Sequence, residues 1–451
     1  MIRLLICIIS LLSACATVEK SWPEATRAVA ISQTLQPMKR FGTVVSTPPQ
    51  RSNQDIIQDF LDLSFRMESG RTIPVLTRFD GPITVRVTGR TNPTMMKDLE
   101  SLLQRLQTEA MINIRIVSRN SPAAITIEAV PKATLQKAVP SAACFVVPRI
   151  NSWKEFKAAR RTSKVDWTTL DRRDRAVIFV PSDVAPQEIR DCMHEELAQA
   201  LGPLNDLYRL PDSVFNDDNI HTVLTAFDML ILRAYYAQEL SNGMTRSAVA
   251  ARLPAILTRL NAAGDLLGKS PQRDTARDWI DAIQLALSRG ESLSSRRAAA
   301  QKAVYLADAF GWSGTRAGFA NYAYGRLLAG YDPHSALQSF NAARQAYGQN
   351  PDTNIHSAHV AVQHAAFSLA AGNAELTISL ADAFIPVATR NQNAALLATL
   401  MMFKSEALDM RGDTAQAAAL RLDSLGWARY GFGSDRNVQA RLDEIAALRR
   451  F

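Results

Sequence analysis

Residues 186–206, PQEIRDCMHEELAQALGPLND, constrain this chain more than any other stretch, because they spell out a whole helix with its start and its stop. Pro186 suits a first turn, where a missing N–H costs nothing, and Gly202 followed by Pro203 predicts a left-handed C-terminal stop. Helical spacing puts Ile189, Met193, Leu197, Ala200 and Leu204 on one apolar stripe, so that side faces a core. Glu195 and Gln199 stand one turn apart on another side, and Glu196 flanks them at the stripe's edge. Two carboxyls and an amide can therefore face one cleft from adjoining positions.

The residues ahead of this helix supply a sheet for it to pack on. Ile83, Val85 and Val87 alternate as a half-buried strand, and Asn92-Pro93 then caps a helix with Met96, Leu99, Leu103 and Leu106 on its apolar side. Ile112, Ile114 and Ile116 form a second strand, Ile125 and Ile127 a third, and CFVVP and AVIFVP supply two more, the last running into the key helix. Residues 54–67 have helical spacing and pack on the same domain. The order strand, helix, several strands, helix predicts an α+β domain, a mixed sheet with two main helices.

At 451 residues the chain exceeds one ordinary core, so more than one domain is expected. A boundary is placed between about 264 and 275, dividing a first domain over 51–264 from a helical one over 275–451. The latter is rich in alanine and leucine, with turns at Gly330, Gly372 and Gly412 whose spacings of 42 and 40 residues predict stacked helical hairpins, an all-α repeat domain. Gly325, the A-x3-F-x2-A run Ala336, Phe340, Ala343, and then Pro351 make one unit similar to a tetratricopeptide repeat, and that resemblance implies a protein or peptide partner on the concave side.

The N-terminus reads as an address. Arg3, the apolar run Leu4 to Leu12 and then small residues form an export signal too short to span a bilayer. Leu12-Ser13-Ala14-Cys15 closely resembles the lipobox of bacterial lipoproteins. The resemblance implies a signal peptide over 1–14, acylation of Cys15 and, with Ala16 where an aspartate would retain the chain, the periplasmic side of the outer membrane. A lipidated tether over 15–50, with Pro23, Pro37, Pro48 and Pro49, is expected to follow. Export leaves Cys144 and Cys192 as one pair in an oxidising compartment, so a disulfide stapling the key helix to CFVVP is expected. The formal charge of +8 is densest at Lys154, Lys157, Arg160, Arg161 and Lys164, a patch that could meet an anionic membrane, glycan or nucleic acid but is read first as a solvated loop or helix face. No aromatic-studded groove or zinc-finger spacing supports nucleic acid as a partner.

With the strand order in hand, residues 80–240 resemble a metzincin-type metallopeptidase domain, whose pattern is H-E-x-x-H-x-x-G-x-x-H, then a methionine turn and a helix ending near tyrosine. Aligned on Gly202, the metal histidines fall on Glu195, Gln199 and Asn205 and the general-base glutamate on Glu196; Ser213-Val214-Phe215 takes the place of the turn. Leu224-Thr225, Asp228 and Tyr235 match the closing helix. The block EELAQALGPLNDLYRLPDSVFNDDN, with the lipobox ahead of it, also resembles a family of proteobacterial envelope proteins known only as a domain of unknown function, over roughly the first 260 residues.

All three histidines are replaced, and amides are weak zinc ligands, so zinc is disfavoured. Three readings stay open. The domain is a pseudoenzyme that binds or scaffolds; or Glu195, Asp206, Asp217 and Asp218 hold calcium, for which oxygen donors are suited; or the paired glutamates hydrolyse a peptide or glycan, with Glu196 as general base and a metallopeptidase-like frame. No cofactor is expected; if a divalent cation binds, calcium fits better than zinc. His356, His359 and His364 are spaced too unevenly for a metal site and read as an ordinary helix face. No Gly-rich phosphate loop and no G-x-S-x-G frame is present.

Overall fold

A computed structural model describes residues 36–44, 46–140, 142–270 and 274–450. The expected signal peptide over 1–14, the expected acylation site Cys15 and the first part of the expected tether lie outside the described residues. The chain opens with α1 (Asn53–Ser64), β1 (Ile83–Gly89), α2 (Pro93–Thr108), β2 (Ile114–Ile116), β3 (Ile125–Val130), α3 (Lys132–Ala138), β4 (Phe145–Pro148), α4 (Trp153–Ala159), β5 (Ala176–Pro181) and α5 (Pro186–Leu201). The sheet order is β2-β1-β3-β5-β4, parallel throughout except that edge strand β4 runs antiparallel to β5. Asn92 caps α2 as its sequence demands, its side chain accepting from the Met95 N–H at 2.9 Å.

Both faces of the sheet are covered, because β5 is buried at every position. On one face Ala176, Ile178 and Val180 meet α2 and α5 in the main core, where Ile189, Met193, Leu197 and Ala200 bury the predicted stripe. On the other, Val177 and Phe179 meet the short helices α3 and α4 in a smaller cluster with Leu135, Phe156 and Ala159, a layer the strand-and-helix reading did not contain. Cys144 and Cys192 are disulfide-bonded with Cα atoms 5.9 Å apart, tying β4's start to α5. Closing 48 residues this way stabilises the fold by about 4 kcal/mol in the loop-entropy account.

Beyond α5 come α6 (Ala226–Tyr235), α7 (Arg246–Ala250) and α8 (Leu253–Leu260), then a helix-rich region: α9 (Arg277–Leu287), α10 (Leu293–Ala309), α11 (Thr315–Leu328), α12 (Pro333–Tyr347), α13 (Asn354–Ala370), α14 (Ala374–Arg390), α15 (Ala394–Arg411), α16 (Thr414–Phe432) and α17 (Asp435–Ala447). Successive helices pack on one another, and α9 on α11 and α13 on α15 show the stacking of hairpins. Small residues set the spacing: a Cβ on Gly325 would lie 2.7 Å from the Phe340 ring, and one on Gly318 would lie 2.6 Å from Tyr347. Among the described residues no helix is long and apolar enough to cross a membrane.

From Gln36 the stretch expected as part of the tether is packed on the rest of the chain. Residues 36–42 are held along α16: Lys39 N–H donates to Gly426 O at 3.0 Å, Arg429 to Gln36 O at 3.0 Å, and Phe41 stacks on Trp427 at 4.5 Å. Prolines kept this stretch from any helix, but contacts with residues nearly 400 positions away hold it extended.

Candidate functional site

Helix α5 is fixed at both ends before it presents anything. At its start Gln187 Nε2 donates to Asn393 Oδ1 at 3.1 Å and Gln187 Oε1 accepts from Ala395 N–H at 3.0 Å, while Arg190 donates to Gln392 O at 2.7 Å. At its end the buried Arg173 guanidinium donates to Gln199 O and Ala200 O, each at 2.6 Å, and to Gly202 O, satisfying carbonyls a helix end leaves open. The left-handed stop expected at Gly202 is not there: φ is −164° and ψ −88°. Glycine is needed for another reason, since a Cβ would meet the Tyr235 ring at 2.9 Å.

The segment after α5 folds back under the helix. Ser213 Oγ donates to Asp228 Oδ1 at 2.5 Å, Asp228 also accepts from Val214 N–H and Thr225 N–H, and Phe215 is fully buried. Thr225 and Asp228 complete a capping box that starts α6. His194 is a core residue: its Nδ1 accepts from Leu224 N–H at 3.0 Å, and burial beside Arg190 and Arg105 pushes its pKa well down, so it stays neutral. A second brace is ionic. Arg51 donates to Asp59 at 2.7 Å and pairs with Asp212, while Arg209 reaches both Asp59 and Asp62 at 2.9 Å, so α1 is locked to the returning segment.

Within this frame the acidic residues gather. Glu195 is half-buried and Glu196 is 4% exposed. Burial, reinforced by Glu68 and Asp217, raises Glu195 to about 7, and burial with Glu195 and Glu68 nearby raises Glu196 well above the ordinary range. Asp206 is raised likewise by burial and by Glu68, Glu195 and Asp217, and its carboxyl is hydrogen-bonded with that of Glu68. Burial also raises Asp217, which accepts from Tyr208 Oη at 2.7 Å. Glu196 Oε2 and Asp206 Oδ1 are buried with no partner. Burial and the neighbouring carboxyls thus raise the pKa values of the whole group, since each charge disfavours ionisation of the next.

Not every expected residue joins them. The Asn205 amide is occupied elsewhere, its Nδ2 donating to Asp62 O at 3.0 Å. Asp218 is withdrawn from any calcium set: it accepts from Ile220 N–H, from Asn216 Nδ2 and from His356 Nε2 at 2.8 Å. His356 is fully buried, which corrects its reading as part of an ordinary helix face. Glu68 was missed altogether; it sits on the exposed turn after α1, 127 positions before Glu195, and carries no signal beyond the nearby Gly70 turn. Among the described residues no group of three or more His, Cys, Asp or Glu side chains is arranged to hold a metal ion.

The cleft beside the cluster is covered by the helical region. A cavity of about 190 Å³ is lined by Glu68, Asn205 and Asp206 on one side and by Thr275, Arg277 and Ile280 on the other. Tyr208 is 5% exposed and makes an edge contact with Trp279 at 5.0 Å, so the loop after α5 is wedged into the core of the helical region.

Residues 53–255 match the profile of a family described as a protein of unknown function, DUF2927. The match runs from the start of α1 to the start of α8, the α/β part with the whole acidic cluster. No curated protein and no solved structure matches the chain.

Proposed function

We propose that this chain is an outer-membrane-anchored periplasmic lipoprotein whose α/β part is a zinc-less metzincin-like domain that binds or scaffolds, with the tetratricopeptide-like helical region supplying a surface for a protein or peptide partner. The observation that carries the reading is the donor set at the three ligand positions. Glu195 is a carboxyl held near pKa 7, Gln199 is an amide, and the Asn205 amide is occupied by Asp62 O. A catalytic zinc needs three good nitrogen, sulfur or carboxylate donors around one open position, and these residues do not fit it. The sheet with its two main helices, the Ser213–Phe215 turn under α5 and Tyr235 closing α6 support the metzincin-like frame. Buried Ala336, Phe340 and Ala343 support the repeat-like packing. The lipobox and the Cys144–Cys192 bond support export.

The main alternative is a hydrolase with Glu196 as general base. A base must be ionised, whereas burial and the neighbouring carboxyls push Glu196 the other way, favouring its protonated form. Calcium is the other alternative, and Asp218 is already taken by three donors. The test is N-terminal peptide mass spectrometry of a periplasmic extract incubated with the exported chain or with Glu196→Gln. Identical sets of termini are expected. New termini that appear with the wild type and vanish with the variant would show chemistry and overturn the reading.

A further inference from the structure

Helix α4 and the turn after it form a basic face with an engineered-looking contrast between its two sides. Trp153 and Phe156 point inward onto Phe145 and Phe179, with ring centroids 5.0–6.4 Å apart, and Ala159 is buried beside them. The helix is pinned at its start by Trp153 N–H donating to Glu128 Oε2 at 2.7 Å and by the Ser152 cap. What remains outward is Lys154, Lys157, Arg160, Arg161 and Lys164, all exposed. Some exposed cations elsewhere pair with carboxylates, as in Arg71–Asp166, Arg259–Glu239, Arg277–Asp281 and Arg411–Asp413, while others, such as Arg90, Lys97 and Arg115, are dispersed and form no ion pair among the described residues. Among the described residues these five form no ion pair; Arg160 donates to Ala138 O at 3.4 Å, which sets it against the end of α3 next to exposed Lys137.

We infer that this face binds the anionic phospholipid headgroups of a bilayer surface. The inference rests on the reading of the chain as membrane-anchored, which puts a bilayer within reach. Five exposed cations within eleven residues make a dense local patch of positive charge, which suits a plane of phosphates. Its rings Trp153 and Phe156 pack on Phe145 and Phe179, so it lacks the stacking platform that single-stranded nucleic acid uses. Each cation near an anionic surface contributes about fivefold to partitioning, so five contribute on the order of a thousandfold at low salt.

The test uses the exported full-length chain with Cys15→Ser, which has no acyl anchor, sedimented with vesicles of zwitterionic lipid alone or mixed with phosphatidylglycerol. Binding to the mixed vesicles only, lost at high salt, is expected. Lys154→Gln, Lys157→Gln, Arg160→Gln, Arg161→Gln and Lys164→Gln together should abolish it with Tm unchanged, and a four-site variant retaining Arg160 guards against loss of its bond to Ala138. Equal partitioning of wild type and variant would overturn the inference, as would binding of heparin through these residues without vesicle binding. Acylation of Cys15 is read separately, by mass spectrometry of the membrane-extracted chain, so failure of the anchor and failure of the face are distinguishable.

Discussion

The α/β part and the helical region bury different chemistry. Under and around α5 the interior holds Arg51, Asp59, Asp62, Arg173, Arg190, Glu196 and Asp228, each less than a tenth exposed. From α9 onward alanine is the commonest buried residue, with aromatic rings set into glycine notches, and among the described residues there Glu406 is the one carboxylate buried as deeply, paired with Arg421 and Arg449. The first part is therefore specified by partners and the second by shape. In a region specified by partners, a buried carboxyl oxygen without one, such as Glu196 Oε2, marks where something other than folding is served.

Breaking a partnered ion should show the contrast most strongly. Asp59→Ala leaves Arg51 and Arg209 buried beside an empty position and should cost about 3–5 kcal/mol by denaturant unfolding, whereas Arg411→Ala in an exposed pair should change little. Next comes the staple between β4 and α5: Cys144→Ala with Cys192→Ala should cost about 2–4 kcal/mol, and reducing agent should leave that double variant unaffected. Shape is probed by Gly325→Ala, whose methyl meets the fully buried Phe340 ring; about 1–3 kcal/mol is expected, with α/β contacts unchanged by hydrogen exchange.

The last probe of the contrast is the pH dependence. Glu195 is raised from an ordinary 4.5 to about 7 in the folded chain, so over that window the unfolded state binds fewer protons and stability falls as pH rises. The penalty is absent below about 4.5 and complete above about 7. Melting temperature followed across this range should decline less steeply in Glu195→Gln than in the wild type. An identical slope in the two would mean that the cluster does not share protons.

The regular elements were legible because each is specified by its own neighbours. Ile83, Val85 and Val87 alternate, Asn92 precedes Pro93, and the α5 stripe recurs at helical spacing, so all fall where expected. The site was legible only along α5. Glu68 joins it through a turn far back in the chain, Asn205 is diverted by a carbonyl of α1, and His356 is drawn onto Asp218 by a helix 138 positions on. The extended run from Gln36 could not be seen either, since its partners are in α16. Gly202 shows the same limit in one residue: glycine was expected for its conformational freedom, and the Tyr235 ring is what requires it.

The most direct test of a binding domain without zinc is elemental analysis of the soluble chain, exported to the periplasm and purified without chelator. Zinc far below one atom per chain is the predicted result. Near-stoichiometric zinc that is lost in Glu195→Ala would contradict the account, because it would mean that Glu195, Gln199 and Asn205 make a metal site despite their chemistry.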